Sequence, residues 1–173
     1  MAAINTNLMT NCNLYLADKS TLGAVKEIKF PTLKWEMKDH EALGMVGKIK
    51  LPVGVAALEG DITFNSFYPE AMKKMARPKK FIKLLAMASL EVYGATGLED
   101  EHPMVVTMNA LFNELPLGNF KQQDNVDWPT KITVFDFEQK INGEIIARFN
   151  AMTNTYEVAG EDVLTKYRAN IGG

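Results

Sequence analysis

The sequence has few of the residues from which catalytic and metal sites are usually built. Among its 173 residues it has one cysteine, Cys12, and two histidines, His40 and His102. A single thiol cannot form an internal disulfide, so we expect a reducing cytoplasm. Structural zinc sites draw a full tetrahedral set of ligands mostly from Cys and His, and these three residues lie far apart in the chain. We therefore interpret both histidines as solvated loop residues and expect no metal site.

Motifs of nucleophilic catalysis and nucleotide binding are also missing. There is no Gly-x-Ser-x-Gly, no phosphate-binding glycine motif, and no histidine near Cys12 in the sequence. We therefore predict a protein that is not an enzyme and that uses no cofactor.

Charge and hydropathy exclude two further classes of partner. The formal net charge is only −2, so no overall attraction to nucleic acid or to an acidic membrane surface is expected. No run reaches the roughly 18 uncharged apolar residues of a membrane helix, and no secretory signal begins the sequence. Because 47% of the residues are hydrophobic, one core can form, and we predict a soluble protein with a single domain, residues 1–173.

Alternating apolar and polar residues predict a mainly β fold with one or two short α-helices. The predicted strands are 13–17, 24–30, 33–38, 59–67 and 103–115, and residues 130–151 are predicted as a hairpin. We expect strand 59–67 to pair with strand 33–38, which makes 39–58 a long hairpin loop. Segment 79–93 fits a helix and a strand about equally well from its periodicity alone.

Helices are predicted at two places, and the chain begins with an extended segment. Pro69 suits a first helical turn, and apolar residues at helical spacing extend that helix to a point before Pro78. Residues 160–173 are predicted as a C-terminal helix and tail, with acidic residues at the start and basic ones near the end. Residues 1–12 carry no charged side chain and are predicted as an N-terminal arm.

The segment "FEQKINGEIIARF", Phe137 to Phe149, predicts a hairpin whose turn contains Asn142-Gly143. A two-residue type I′ turn without a bulge would mix apolar and charged residues on both faces. A three-residue loop, Ile141 to Gly143, gives one aromatic and one charged face instead. That register pairs Phe135 with Phe149, Phe137 with Ala147, Asp136 with Arg148 and Lys140 with Glu144, and we predict it.

Two predicted hairpins, Leu33 to Phe67 and Thr130 to Ala151, thus combine an apolar face with a charged face. In a monomeric β-sandwich the charged faces would meet bulk solvent. The hairpins also have open edges, which favour pairing with another chain. If copies join edge to edge in a closed ring, their strands form a continuous barrel with the charged faces lining a water-filled bore.

A basic cluster, Lys73 to Lys83, is the strongest local concentration of charge. Nucleic-acid binding would call for aromatic or polar base-reading groups beside it, and only Phe81 is available. We interpret the cluster as a solvated helix edge or as a rim that meets an acidic patch on a neighbour.

Several segments resemble, in order, the FII-type major tail tube proteins of contractile-tail phages, a family that includes tube proteins of R-type pyocins. They are "NLYL", "GAVKEIKFPTLKWEM" and "HEALGM" near the start, then the Asn-Gly hairpin and the C-terminal "VLTKYRANIGG". The resemblance covers nearly the whole chain and is loosest at Lys79 to Pro103. It favours a strand for 79–93.

The resemblance implies a structural protein whose six-membered rings stack into the inner tail tube of a virion, assembled in the host bacterial cytoplasm. It implies partners as well: copies of itself, the tail sheath, the baseplate and the tail terminator, with tape-measure protein and DNA passing through the lumen. A type VI secretion tube shares the general scheme and stays an alternative. A monomeric β-sandwich that binds an anionic partner through Lys73 to Lys83 is another.

Carried over to this sequence, the resemblance gives three sets of site residues. The lumen-lining candidates have four positive and five negative charges, hence −1 per subunit: Lys34, Glu36, Lys38, Asp61, Asp136, Glu138, Lys140, Glu144 and Arg148. Candidates for contacts between rings are Asp39, His40, Glu41, Ala42, Leu43, Gly44, Met45, Val46 and Gly47. Candidates for contacts between subunits are Ile4, Leu8, Met9, Tyr167, Arg168, Asn170 and Ile171.

Overall fold

The computed structural model describes residues 4–172 and confirms the mainly β fold. Residues 1–3 of the predicted arm and residue 173 of the tail lie outside the described residues. The strands are β1 Thr6–Leu8, β2 Cys12–Leu16, β3 Lys19–Ser20, β4 Val25–Lys29, β5 Trp35–His40, β6 Ile49–Val55, β7 Leu58–Phe64, β8 Ile82–Gly94, β9 Gly97–Phe112, β10 Trp128–Ile141, β11 Glu144–Asn150, β12 Thr155–Val158 and β13 Glu161–Asp162. The helices are α1 Pro69–Met75 and α2 Thr165–Asn170.

Eleven of the strands form one antiparallel sheet in the order β13-β12-β11-β10-β9-β8-β2-β3. Three strands lie off this path, because β1 pairs with β8, and β4 pairs with β7, which pairs with β10. One face of the sheet carries the buried core, to which β8 contributes Ile82, Leu84 and Ala86. Helix α1 adds Ala71, Met72 and Met75 to that core, as its spacing predicts.

β10 is the strand at which the sheet divides. Along one edge it pairs first with β7, from Trp128 to Val134, and then with β11, from Asp136 onward. Phe135 is an extra residue between Val134 and Asp136 in the ladder with β9, so a β-bulge marks the division. The Asp136 carboxylate accepts hydrogen bonds from the backbone N–H and the side-chain amide of Asn109, both at 2.9 Å, and these bonds fill the gap in the ladder.

The predicted register of the β10–β11 hairpin is wrong. Asn142 and Gly143 form a two-residue turn with φ values of 52° and 84°, as a type I′ turn requires, and Ile141 pairs with Glu144. A bulge between Gln139 and Lys140 then restores the alternation.

The observed pairs are Phe137 with Phe149, Glu138 with Arg148, Asp136 with Asn150 and Lys140 with Ile145. The bulge therefore separates the faces from Gln139 back toward Asp136, while the two pairs next to the turn still mix apolar and charged residues.

The predicted pairing of strands 33–38 and 59–67 is also wrong. β5 pairs with β6, and the two form a separate two-stranded sheet, which we call the ribbon. β6 lies inside the segment predicted as a long loop, so only residues 41–48 connect the two strands. Strand β7 pairs instead with β4 and β10, because its buried residues Ile62 and Phe64 complete the core of the large sheet.

The ambiguous segment 79–93 is mostly strand. β8 and β9 form a long hairpin that pairs from Ile82–Ala110 to Gly94–Gly97. His102, predicted in a loop, lies within β9 and pairs with Leu90. The β-favouring residues at the end of the segment continue the ladder that Ile82 and Leu84 begin in the core.

The C-terminal prediction is right for a helix and wrong for its start. Glu161 and Asp162, predicted as the first helical residues, form β13 against β12. Helix α2 begins at Thr165 and has no buried residue. Glu161 and Asp162 are extended rather than helical because their backbone pairs with the otherwise open edge of β12.

Candidate assembly surface

The face of the large sheet opposite the core carries a row of ion pairs across three strands. Glu138 lies centrally, with Lys140 Nζ at 2.6 Å and Arg148 Nε at 3.9 Å from its carboxylate oxygens. Arg148 also contacts Glu157 of β12, at 3.9 Å. We call these four residues and Asp136 the charged face; three carboxylates and two cations leave it with a charge of −1.

The structure separates the nine lumen-lining candidates. Asp136, Glu138, Lys140 and Arg148 lie together on the charged face. Glu144 pairs with Ile141 and therefore lies on the opposite face from Lys140. Glu157 was missed, because its strand follows a turn that the sequence analysis did not assign.

Lys34 and Asp61 lie together at a groove of about 590 Å³ beside β7. Lys29 Nζ is 4.0 Å from the Asp61 carboxylate, and Lys131 pairs with Asp61 in the strand register. Glu36 and Lys38 lie on β5 and hence on the ribbon. The sequence grouped these residues with Glu138 only because it assigned β5 to the wrong partner.

The ribbon is exposed along its whole length up to its base. All six residues of β5 are exposed, including Trp35 at 40% and Met37 at 51%. The connection between its strands exposes Leu43 and Val46 completely, at 106% and 109%. An exposed apolar surface of this extent is typical of a protein interface rather than of a free surface.

An aromatic contact joins the base of the ribbon to the large sheet, and a backbone hydrogen bond closes the base of the ribbon itself. The Trp35 and Tyr156 rings meet edge to face with centroids 5.5 Å apart. The Ala56 N–H donates to the Lys34 carbonyl at 2.9 Å. The inter-ring candidates, residues 39–47, lie at the far end of the ribbon and in its connection.

The subunit-contact candidates lie in two places. In the arm, Ile4, Leu8 and Met9 are 85%, 45% and 47% exposed, and β1 pairs with the distal part of β8. In α2, Tyr167 and Ile171 are 52% and 56% exposed.

Arg168 and Asp162 form an ion pair that holds α2 against β13. Arg168 also donates to the Asn154 carbonyl at 2.9 Å, and the Asp162 carboxylate accepts from the Leu164 N–H at 3.0 Å. The Arg168 guanidinium and then the Leu164 N–H lower the pKa of Asp162. The Arg168 side chain therefore binds partners within its own subunit, whereas the Tyr167 side chain is exposed.

The described residues, 4–172, contain no cluster of three or more His, Cys, Asp or Glu side chains able to hold a metal ion. Among them, no helix is long and apolar enough to cross a membrane. Cys12 is partly buried, and this burial raises the pKa of its thiol above the usual value, which opposes reactivity.

A subunit with an antiparallel sheet, exposed apolar residues on its ribbon and exposed strand edges is typical of a structural protein that packs against other proteins. The chain belongs to the phage tail tube protein FII family, whose model matches residues 6–172. It is a structural protein of the tail tube of a contractile-tail phage or phage-like particle, in a family that is not enzymatic.

Two solved structures share the fold. One is a sheath/tube terminator of an extracellular contractile injection system, PVC, with a TM-score of 0.55 and 8% identity over 75% of this chain and 92% of that chain. The other is a chain of the PVC sheath-tube complex, with a TM-score of 0.52 and 9% identity over 75% and 87%. A comparison with curated protein sequences gave no significant match.

Proposed function

We propose that six copies of this protein form a ring and that the rings stack into the inner tube of a contractile tail. The observation that carries the proposal is the ribbon, because its apolar residues are exposed and only another chain can cover them. In the proposed tube, the connection at residues 39–47 contacts the adjacent ring. The sheath surrounds the outside, while baseplate and terminator proteins meet the two ends.

The charged face is proposed to line the lumen. It lies on the opposite side of the sheet from the core, and its residues stay partly exposed in the protomer. Its two cations already contact carboxylates, so few positive charges are left to hold phosphate. DNA binding strengthens steeply with the number of phosphates that a protein neutralises. A lumen wall with a charge near −1 per subunit neutralises few of them, so DNA and tape-measure protein can pass.

The arm and α2 are proposed to complete the contacts between subunits. Leu8 lies in β1, the strand that extends the edge of the sheet beside β2. An edge strand with an exposed outer side is a ready template for pairing with another chain. Assembly takes place in the host cytoplasm, where the single Cys12 stays reduced.

The first experiment is electron microscopy of the purified protein, together with size-exclusion chromatography. The expected result is rings and tubes with a continuous central channel. The matched variant Leu43→Asp/Val46→Asp should fold normally and form rings but fewer tubes, since both side chains are fully exposed in the protomer. A monomer at high concentration would contradict the proposal, and so would variant tubes as long as those of the unmodified protein.

The lumen assignment is tested separately with Thr107→Lys. Thr107 pairs with Glu138 in the strand register and so shares the charged face, and a lysine there adds charge without removing an ion pair. Tubes of this variant should retain DNA during ejection or bind it in solution, with strong salt dependence. Asn119→Lys, in the exposed connection between β9 and β10, adds the same charge elsewhere and should not. Equal DNA binding by both variants would refute the assignment.

A further inference from the structure

We propose that stacked rings are joined by opposite charges at the two ends of the β8–β9 hairpin. The distal end of this hairpin in one copy docks on the proximal end in a second copy of the next ring. The inference rests on the proposed tube and names a contact that joins its rings. It is separate from the ribbon, which contains other residues.

The distal end is a sheet segment that other strands leave largely uncovered. β10 pairs with β9 only from Met104 to Phe112, and the Asn142 N–H donates to the Pro103 carbonyl, so the strand from Gly97 to His102 has a free edge among the described residues. On the other side of the hairpin, β1 pairs with the distal part of β8, at Glu91 to Tyr93. Leu98 is 50% exposed there. A free edge of this kind favours contact with another chain.

The distal end is strongly acidic, and its strand register opposes like charges. Its four carboxylates, which we call the acidic end, are Glu91, Glu99, Asp100 and Glu101. Glu91 pairs directly with Glu101, an arrangement that destabilises a sheet when nothing neutralises it. Within residues 4–172, the one basic side chain that contacts these carboxylates is His102, whose Nε2 lies 3.5 Å from the Asp100 carboxylate. A cation from another chain would relieve this repulsion.

The proximal end carries four cations, which we call the basic end: Arg77, Lys79, Lys80 and Lys83. All four are exposed, and none forms an ion pair within the described residues. Lys73 and Lys74 of the same basic segment already have partners within the chain. Lys73 contacts Glu70 at 2.9 Å, and Lys74 donates to the Leu16 carbonyl at 2.9 Å. The four remaining charges equal the acidic end in number and have the opposite sign.

The hairpin geometry separates the two ends along one direction. Lys83 and Glu91 are eight residues apart in one strand, about 26 Å at strand spacing. Strands of a barrel tilt about 35–45° from its axis, so the ends of a long hairpin lie toward opposite rims of a ring. A head-to-tail contact of two different surfaces that is displaced along the tube axis cannot close on itself, so it continues into an open tube. Head-to-head stacking would place like charges together, so the contact also fixes the polarity of the tube.

The experiment uses two charge-reversed variants. The acidic-end variant is Glu99→Lys/Asp100→Lys/Glu101→Lys, and the basic-end variant is Arg77→Glu/Lys79→Glu/Lys80→Glu. Each variant alone should keep its rings and form at least about tenfold fewer stacks, because like charges then meet at every junction. A mixture of the two preformed variant rings should stack again, since each end then finds its opposite.

Controls separate folding from assembly. Unchanged circular dichroism and thermal midpoints show that each variant folds. Lys121→Glu and Asp124→Lys, in the exposed connection between β9 and β10, change charge without touching either end and should leave stacking intact. Stacking of the unmodified protein should weaken as salt rises.

The outcomes distinguish this inference from the proposed function. If the unmodified protein forms tubes and both reversed variants form tubes of equal length, the charge contact is wrong and the tube proposal stands. If mixing does not restore stacking, the charge contact is wrong as well. If the unmodified protein forms neither rings nor tubes, the proposed function itself fails.

Discussion

The β10–β11 hairpin and the ribbon share an alternating sequence pattern but differ in their surroundings. Both alternate apolar and charged residues, yet Phe149 of β11 is 8% exposed while Met37 of β5 is 51% exposed. The hairpin lies between β9 and β12 in the large sheet, whereas among the strands that the structure describes β5 and β6 pair only with each other. Alternation therefore shows that a strand has two different faces, and its neighbours decide whether the apolar face is buried within the chain or left for another chain.

The largest effect is expected for a substitution in the buried face of the β10–β11 hairpin. Phe149→Ala should lower the free energy of unfolding by about 3–5 kcal/mol, because it removes a buried ring and leaves a cavity. Urea denaturation of the unassembled protein measures the change. Met37→Ala, the matched change on the ribbon, should lower it by less than about 0.5 kcal/mol. Equal losses at the two sites would show that the ribbon has its own buried core.

A smaller effect tests the corrected turn. Gly143→Ala should destabilise the protein by about 1–2 kcal/mol, because φ at Gly143 is 84° and a side chain there is strained. Gly44 in the ribbon connection has a φ of 87°, so Gly44→Ala carries similar local strain. The ribbon can open without unfolding the large sheet, so the Gly44 variant should keep the global denaturation midpoint. A shift of the midpoint in both variants would contradict the independence of the ribbon.

Trp35→Ala should weaken the attachment of the ribbon to the large sheet by about 1 kcal/mol, because it removes the edge-to-face contact with Tyr156. Its clearest consequence is at the base of the ribbon, where backbone amides should exchange faster with solvent. Hydrogen exchange measures this, with amides of β8 as the internal control. Trp35→Phe should preserve most of the contact. No change in exchange for the alanine variant would mean that the backbone alone holds the ribbon in place.

The smallest expected effect is on β12 and β13, which cover the edge of β11. The ribbon has no such covering strands among the described residues. The folded-state pKa of Asp162 is lowered, so its contribution is fully present above the unfolded pKa of about 3.9 and is lost as pH falls through the folded value. The protection of the Val163 amide from hydrogen exchange, measured relative to its intrinsic exchange rate at each pH, should fall only in acid. Asp162→Asn should remove this dependence of the protection factor on pH. A fall of the protection factor between pH 6 and 8 would contradict the assignment.

The sequence predicted local features better than pairing. Helix α1 and the residues of the charged face on β10 follow from spacing, because the period of the side chains fixes which of them share a face. The partner of β5 did not follow, since β6 contains Pro52 and Gly54 and lacks a strong strand signal. Glu157 joined the charged face only through the pairing of β11 with β12, a contact between segments that no local pattern encodes.

The extra residue at Phe135 has a consequence for insertions and deletions. Before it, the even-numbered residues of β10, such as Ile132 and Val134, point to the core; after it, the odd-numbered Phe137 does. Losing Phe135 would merely straighten the strand, with every side chain keeping its side. Losing a residue elsewhere in the strand would turn one part of it inside out. A natural variant shortened by one residue in this strand should therefore carry its gap at this position.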